Sequence, residues 1–273
     1  MPQAPARYAV IGHPVAHSRS PQIHAEFARL TGEAIHYARI DAAPGGFTAA
    51  LREFLASGGK GANITLPFKE EALGLCHVHT PRAKKARAVN TLFVHADGTL
   101  LGDNTDGAGL VNDLKHNHQV TLKAARILLL GAGGAARGVL VALLAEKPAR
   151  VQVANRTPER AHKLAFQYAG SGRVTGGGFE NLRRQSFDVV INATAASLVG
   201  ELPPLPRDCL NPDAVCYDLA YGEQPTPFMH WAQREGAGLV LDGWGMLVEQ
   251  AAESFYLWRG VRPPTALLLA LHP

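Results

Sequence analysis

Arg126-Ile127-Leu128-Leu129-Leu130-Gly131-Ala132-Gly133-Gly134-Ala135-Ala136-Arg137-Gly138 decides how this chain is read. A short apolar run stops at a glycine-rich turn and then becomes helical. Strand, turn, helix is the context in which G-x-G-x-x-G/A has physical meaning. Gly131 allows the tight turn, Gly133 lets backbone approach a pyrophosphate, and Ala136 permits close helix–strand packing. The first N–H groups of the new helix have no partners inside it and point at whatever anion sits there. Taken alone, the pattern is as easily a tight turn as a ligand site.

The following segment adds context. Val151-Gln152-Val153-Ala154 reads as a strand and runs into Asn155-Arg156-Thr157, roughly twenty positions after the glycines, where a dinucleotide fold reads the adenosine ribose. A free 2′-hydroxyl would want Asp or Glu there. This chain offers Arg156, with Arg160 one helical turn further. Cations suit a 2′-phosphate, which favours NADP(H) over NAD(H). Thr157 before Pro158 also reads as a helix start, and the two readings are compatible.

Composition narrows the class. At 273 residues the chain is one large domain or two modest ones. The content is 47% hydrophobic and 18% charged, ample for a packed core. Net charge is +4 and the pI about 9.0, without the long basic run of a nucleic-acid tail. The mild excess fits attraction of anionic small molecules. The densest basic patch, Arg82, Lys84, Lys85 and Arg87, reads as a solvated helix face. Cys76, Cys209 and Cys216 are odd in number and widely spaced, suggesting neither a disulfide framework nor a zinc site. With no apolar signal core and no membrane-length stretch, a cytoplasmic location is expected. The twelve histidines lack metal spacing and are read as surface residues.

Along the chain, strands are expected at 8–12, 36–40, 61–66, 89–94 and 100–101, with helices at 21–30, 47–57 and 67–75 between them. A helix over 107–116 serves as connector to the strand at 126–130. Strands at 188–192, 215–219 and 239–241 continue a second sheet, and 246–258 forms a final helix with Leu247, Ala251, Phe255 and Trp258 on one face. Alternating strands and helices indicate α/β architecture with mostly parallel sheets. The expectation is two α/β lobes flanking a cleft, where small ligands bind. The first lobe is expected over 1–106, rejoined by a helical segment over 244–273, and the second, carrying the glycine turn, over 107–243.

Several polar residues do not suit their local setting. Lys69 falls in the first turn of a helix, where a cation is disfavoured while Glu70 and Glu71 are welcome. A locally broken rule points to function, here an acid/base group; an exposed surface lysine is the plain alternative. Asp106, in Asp103-Asn104-Thr105-Asp106-Gly107, is a turn residue or a carboxylate at the lobe junction able to pair with Lys69. Ser18 and Ser20 precede a helix: Ser20 before Pro21 suits an N-cap, and two hydroxyls at a helix N-terminus suit a carboxylate. Asn63, Thr65, Asn90, Thr91 and Gln250 are polar groups in otherwise apolar surroundings; structural partners and substrate hydroxyls are equal alternatives.

Together these segments resemble the shikimate dehydrogenases of the bacterial AroE type. The resemblance runs through Gly-x-Pro-x-x-His-Ser-x-Ser-Pro at 12–21, Gly-Ala-Asn-Ile-Thr-x-Pro-Phe-Lys at 61–69, Ala-Val-Asn-Thr-Leu at 88–92 and Gly-Asp-Asn-Thr-Asp-Gly at 102–107. It continues with Gly-Ala-Gly-Gly-Ala at 131–135, Asn-Arg-Thr at 155–157, Asn-Ala-Thr at 192–194, and Asp-Gly-x-Gly-Met-Leu-Val at 242–248 with Gln250. The family reduces 3-dehydroshikimate to shikimate with NADPH in aromatic amino-acid biosynthesis. The resemblance makes the first lobe the substrate-binding and catalytic domain and the second a Rossmann domain. The resemblance implies that Ser18 and Ser20 hold the substrate carboxylate, and that Thr65, Asn90, Asp106 and Gln250 bind ring hydroxyls. It puts Lys69 at the reacting oxygen and turns Tyr221 toward the substrate. Gly131, Ala132, Gly133, Gly134 and Ala135 wrap the pyrophosphate; Asn155, Arg156, Thr157 and Arg160 read the 2′-phosphate; Leu219 and Gly243 line the nicotinamide side. Shikimate and 3-dehydroshikimate are the implied partners, with no nucleic acid, no membrane and no metal, and with a homodimer left open. A quinate/shikimate dehydrogenase and a non-catalytic NADP-binding sensor are the alternatives.

Three places depart from the family pattern. Ala195-Ala196-Ser197 replaces the usual Ser-x-Gly, Arg87 stands where Gly is usual, and His77 where Asp is common.

Overall fold

The computed structural model describes residues 4–170 and 173–272. The chain divides into two compact units: Met1–Gly109 with Leu247–Leu271, and Leu110–Met246 with His272–Pro273.

The first unit is built on a six-stranded sheet of β1 (Ala6–Gly12), β2 (Ile35–Asp41), β3 (Gly59–Ile64), β4 (Val78–His79), β5 (Thr91–Val94) and β6 (Leu100–Asp103), in the order β2-β1-β3-β5-β6-β4. Pairing is parallel at β1–β2, β1–β3 and β4–β6, and antiparallel at β3–β5 and β5–β6. The antiparallel hairpin turns at Gly98, whose φ of 84° suits glycine. Helices α1 (Ser20–Thr31), α2 (Phe47–Ala56), α3 (Lys69–Leu73) and α4 (Pro81–Ala86) connect the strands. One apolar core gathers Ile11, Phe47, Leu51, Phe54, Ile64, Phe68, Val89 and Leu92. Phe68, stacked on Phe47 with centroids 4.8 Å apart, fixes the residue before Lys69.

Helix α5 (Asp106–Asn112) continues into a π-helical turn at Asp113–Asn117. The second unit then builds its sheet from β7 (Arg126–Leu130), β8 (Arg150–Ala154), β9 (Val174–Gly177), β10 (Phe187–Asn192), β11 (Leu210–Asp218) and β12 (Leu239–Leu241). Helices α6 (Gly134–Ala145), α7 (Pro158–Gln167) and α8 (Pro227–Arg234) cross between them. All pairings are parallel, in the order β12-β11-β10-β7-β8-β9. Read from β9, this is the 3-2-1-4-5-6 order of a dinucleotide-binding fold. Its central strand shows why the run at 127–130 is continuously apolar. Ile127 and Leu129 enter one core, and Leu128 and Leu130 enter the other, because alternate side chains face opposite sides of a covered sheet.

The last long helix, α9 (Trp244–Arg259), carries its C-terminal half onto the first sheet, and α10 (Ala266–Leu269) follows. Trp258 stacks on Tyr8 at 4.4 Å and donates its indole N–H to the Leu92 carbonyl at 2.8 Å. Phe255 joins Phe27 and the ring of His24 in the same aromatic cluster.

Several expectations need correction. Helix α1 has Arg19 at its N-cap and Ser20 as its first helical residue, so Ser20 is not the cap. Helix α3 is shorter than 67–75 and begins at Lys69 itself. Asn90 precedes β5 instead of lying in it. Strand β9 has a loop-like sequence, Val-Thr-Gly-Gly, because a Cβ on Gly176 would lie 2.3 Å from the Ala161 carbonyl oxygen of α7. The basic patch is not simply solvated: Arg82 reaches the buried Asp103, and Arg87 closes α4 in the left-handed region at φ 52°, where glycine is favoured.

His24 is likewise not a surface residue. It is fully buried and stacked on Tyr37 at 4.3 Å. Burial lowers its pKa to about 3, with Asn63 offsetting a little of the shift. An unfolded chain therefore binds a proton that the folded chain refuses between about pH 3 and 6.5. The associated stability is complete above pH 6.5 and fades as pH falls. Replacing His24 by Phe should shrink the stability difference between about pH 7 and about pH 4.5 by on the order of 2 kcal/mol, read from urea unfolding. An unchanged pH slope would refute the assignment.

Candidate active site

The site in the first unit is assembled by short-range geometry around β3, β5 and β6. The chain leaves β3 at Ile64 and passes through Thr65, half-buried, before α3 opens on Lys69. Strand β6 ends at Asp103, and Asn104-Thr105 leads to Asp106 at the start of α5. Lys69 Nζ donates to Asp106 Oδ2 at 2.6 Å. Their side chains are 13% and 5% exposed, so the pair is largely dehydrated. Water cannot screen it well, and its attraction is correspondingly stronger than at a surface.

Asn90 holds the other carboxylate oxygen. Its Nδ2 donates to Asp106 Oδ1 at 2.8 Å and also lies 3.2 Å from Gln250 Oε1 and 2.9 Å from the Thr105 hydroxyl. Its Oδ1 accepts the Thr105 backbone N–H at 2.7 Å. Thus Lys69, Asn90, Asp106 and Gln250 converge, and Thr65 lies four residues before Lys69 on the connecting loop. Behind them is a second polar row. Asn63 donates to Ser254 at 2.9 Å and to Thr91 at 3.2 Å, and the Tyr37 hydroxyl donates to Asn63 Oδ1 at 2.8 Å. Ser254, which is fully buried, shares hydrogen bonds with Thr91 and Thr105. The sequence reading did not single out Ser254. Its signal was a hydroxyl one helical turn after Gln250 in an otherwise apolar helix face.

The segment bearing Asp106 is anchored by Asp103. Its carboxylate accepts from Thr80 at 2.5 Å, from Arg82 at 2.7 and 2.6 Å, and from the Asn104 N–H at 2.7 Å. Burial by itself would raise its pKa, but the Arg82 guanidinium and these donors outweigh burial and hold it below the ordinary value. Asn104 Nδ2 donates to the Ala88 carbonyl at 3.0 Å, and Asn104 Oδ1 accepts the Asp106 N–H at 3.2 Å.

Ser18 and Ser20 lie at the start of α1. The Ser18 hydroxyl donates to Ser20 Oγ at 3.2 Å and accepts the Ser20 N–H at 3.3 Å. Ser20 is buried and Ser18 half-buried. Tyr221, expected at the substrate, belongs to the second unit, where its ring meets Trp244 edge-on at 6.2 Å.

The candidate dinucleotide-binding residues lie at or just past the C-terminal ends of β7, β8 and β11, and beside β12. Gly131 has φ 104°, and a Cβ there would lie 2.9 Å from the Ala193 carbonyl oxygen, so no other residue fits. Gly133 is exposed at the N-cap of the twelve-residue α6, with open space where a Cβ would point. Ala132 is buried, and Gly134 and Ala135 form the first turn of α6. Asn155 donates to the Thr157 carbonyl at 3.0 Å, leaving Arg156, Thr157 and Arg160 exposed beside the end of β8. An open backbone cradle at a helix N-terminus, with Arg156 just past the end of β8 and Arg160 in α7, fits a phosphorylated dinucleotide. Gly243 lies against Leu219, whose carbonyl oxygen would be 2.2 Å from an added Cβ.

The departures acquire physical meanings here. Ser197 donates to Asp218 at 2.6 Å and accepts from Asn192 at 3.1 Å, tying the loop after β10 to the end of β11. Thr226 adds a donor to the same carboxylate at 2.7 Å. Burial nevertheless keeps the Asp218 pKa above its ordinary value. His77 Nδ1 accepts the Leu100 N–H at 2.9 Å, a structural use.

The chain is similar to known proteins over nearly its whole length. The family model for the shikimate dehydrogenase substrate binding domain matches residues 10–92. Those for shikimate / quinate 5-dehydrogenase and the shikimate 5′-dehydrogenase C-terminal domain match residues 113–199 and 243–270. The chain is 57% identical to the shikimate dehydrogenase (NADP(+)) of Alkalilimnicola ehrlichii, covering 98% of each. Among solved structures, it resembles an Ael1 enzyme from Pseudomonas putida (TM-score 0.89, 43% identity, 98% of each chain). It also resembles shikimate 5-dehydrogenase (AroE) from Thermus thermophilus in complex with NADP(H) and shikimate (TM-score 0.85, 35% identity, 96% and 97% of the chains).

Arg82→Met should cost about 2–3 kcal/mol in chemical unfolding at neutral pH, because it leaves a buried carboxylate without its cation. The depressed pKa of Asp103 means that this difference is full above its ordinary 3.8 and closes as pH falls through the lower folded value. Equal stability of variant and parent at neutral pH would show that the ion pair does not anchor the segment.

Proposed function

This chain belongs to the shikimate dehydrogenase family, and we propose that Lys69 and Asp106 form the centre at which it interconverts 3-dehydroshikimate and shikimate. The reaction is an NADP(H)-dependent reduction of a ring ketone, a step of aromatic amino-acid biosynthesis. The observation that carries the assignment is the 2.6 Å contact between the largely buried Lys69 and Asp106, beside Asn90 and Gln250.

NADPH, when bound, supplies the hydride that goes to the ketone carbon. Lys69 faces the charge that develops on the former carbonyl oxygen, stabilises it and delivers the proton that completes the alcohol. Asp106 fixes the ammonium in position and accepts from a ring hydroxyl. Asn90, Gln250 and Thr65 hold the remaining hydroxyls, and Ser18 and Ser20 donate to the carboxylate at the start of α1. Tyr221 is proposed as a further substrate-binding residue. Backbone at Gly131, Ala132, Gly133, Gly134 and Ala135 would hold the pyrophosphate, and Asn155, Arg156, Thr157 and Arg160 the 2′-phosphate. Leu219 and Gly243 would line the nicotinamide. In this reading residues 1–106 with 244–273 serve the substrate and 107–243 the cofactor.

The location proposed is the cytoplasm, consistent with three free cysteines. No helix among the described residues is long and apolar enough to cross a membrane. A homodimer is the assembly proposed for test by sedimentation. The quinate reading is separated by the ratio of quinate to shikimate turnover with each cofactor.

Lys69→Ala should abolish most of the loss of NADPH absorbance on adding 3-dehydroshikimate, while NADPH binding, read by fluorescence, survives. Near-normal turnover in that variant would remove Lys69 from the mechanism. Arg156→Ala should raise KM for NADPH by roughly ten- to a hundredfold, the loss of a charge-assisted contact, and leave KM for NADH unchanged. Equal effects on both cofactors would contradict the 2′-phosphate assignment.

A further inference from the structure

Strand β2 lies at the edge of the first sheet, paired with β1 so that Arg39 stands opposite Val10. Tyr37 and Arg39 are two residues apart on this strand and so share a face. Tyr37 stacks on His24 of α1 at 4.3 Å, and Arg39 reaches the start of the same helix. Arg39 donates from Nε at 3.0 Å and from Nη2 at 2.6 Å to one acceptor, the backbone carbonyl of Ser18. The same Nη2 also donates to Gln22 Oε1 at 3.1 Å, on the first turn of α1.

Two features make this more than a surface contact. Both acceptors are neutral, so neither bond sets a carboxylate against the guanidinium beside the serine pair. The nearby carboxylate on the same strand, Asp41, is engaged by His13 at 2.6 Å. In addition, two donors converging on one carbonyl hold the Ser18–Arg19 peptide in a fixed plane and polarise it, which strengthens its own N–H as a donor. The segment so clamped, from the Ser18 N–H bond to Val15 through the Ser18–Ser20 contact, sets where the two hydroxyls point.

We infer that Arg39 is a positioning residue for carboxylate recognition: it clamps the Ser18 carbonyl and gives the serine pair its preference for an anionic over an uncharged substrate group. The inference rests on the assignment of Ser18 and Ser20 to the substrate carboxylate made above. Arg39 does not touch the reacting atoms, and its effect is confined to the end of the ring that bears the acid.

The test compares shikimate with its methyl ester, which keeps the ring and loses the charge, each measured as substrate or as competitive inhibitor at saturating NADP+. Arg39→Gln should raise KM for shikimate roughly tenfold, the scale of one lost charge-assisted hydrogen bond, with turnover at saturation altered much less. The ester should bind the variant and the parent alike, so that the preference for acid over ester collapses. Arg39→Lys, which restores the charge without the converging donors, should recover part of it. A general structural defect would weaken acid and ester by the same factor and lower thermal stability, and that result overturns the inference. Ser20→Ala separates the two levels. If Ser20→Ala keeps the full preference for the acid, the carboxylate is not held by the serine pair and the underlying assignment fails. If Ser20→Ala loses the preference while Arg39→Gln keeps it, only the role of Arg39 fails.

Discussion

A dehydrated ammonium–carboxylate pair dominates this protein. Lys69 and Asp106 meet at 2.6 Å with little access to solvent. Such a pair is costly to bury unless its remaining hydrogen-bonding capacity is met. Much of the surrounding polar structure follows from that requirement. Asn90 covers the second oxygen of Asp106, Asn104 receives its backbone N–H, and Asp103 with Arg82 locks the strand end from which the carboxylate is presented. On the proposed reading this arrangement sets the ammonium of Lys69, as proton donor, beside groups that bind ring hydroxyls.

The support for this pair is layered. Phe68 stacked on Phe47 sets the entry to α3. The row of Asn63, Thr91, Thr105 and Ser254 joins β3, β5, the loop before α5 and α9 by hydroxyl and amide contacts. Around it lies an aromatic packing of Tyr8, His24, Tyr37, Phe255 and Trp258. Polar groups inside an apolar shell interact strongly and tolerate few geometries, so the shell gives the site its rigidity. In the second unit a carboxylate plays a comparable anchoring part: Asp218 collects Asn192, Ser197 and Thr226 and joins the loops after β10 and β11.

Much of the fold was legible locally. The β7–α6 turn was readable because glycine is the one residue that fits φ 104° against the Ala193 carbonyl. The apolar run of β7 was readable because both faces of its sheet are covered. Lys69 stood out because it breaks a helix-terminus rule. Strand β9 was not readable, since Gly176 serves close approach by α7 instead of a turn. The short β4 has two residues and no periodicity to detect. Arg82 looked like its basic neighbours, and nothing within its own helix distinguishes the one that turns toward Asp103.

By itself the sequence determined the alternation of strands and helices, the glycine turn after β7, the cation at Arg156 and the residue types from which a proton transfer is proposed. Those are properties of spacing and side-chain chemistry over a few neighbouring positions. Only the tertiary structure decided that Lys69 touches Asp106 across 37 positions, that Asn90 meets Gln250 across 160, and that Arg39 of β2 grips the carbonyl of Ser18. The reason is physical. Hydrogen bonds and ion pairs act over about 3 Å, and which distant residues come within that range is fixed by sheet order and core packing, which no local pattern encodes.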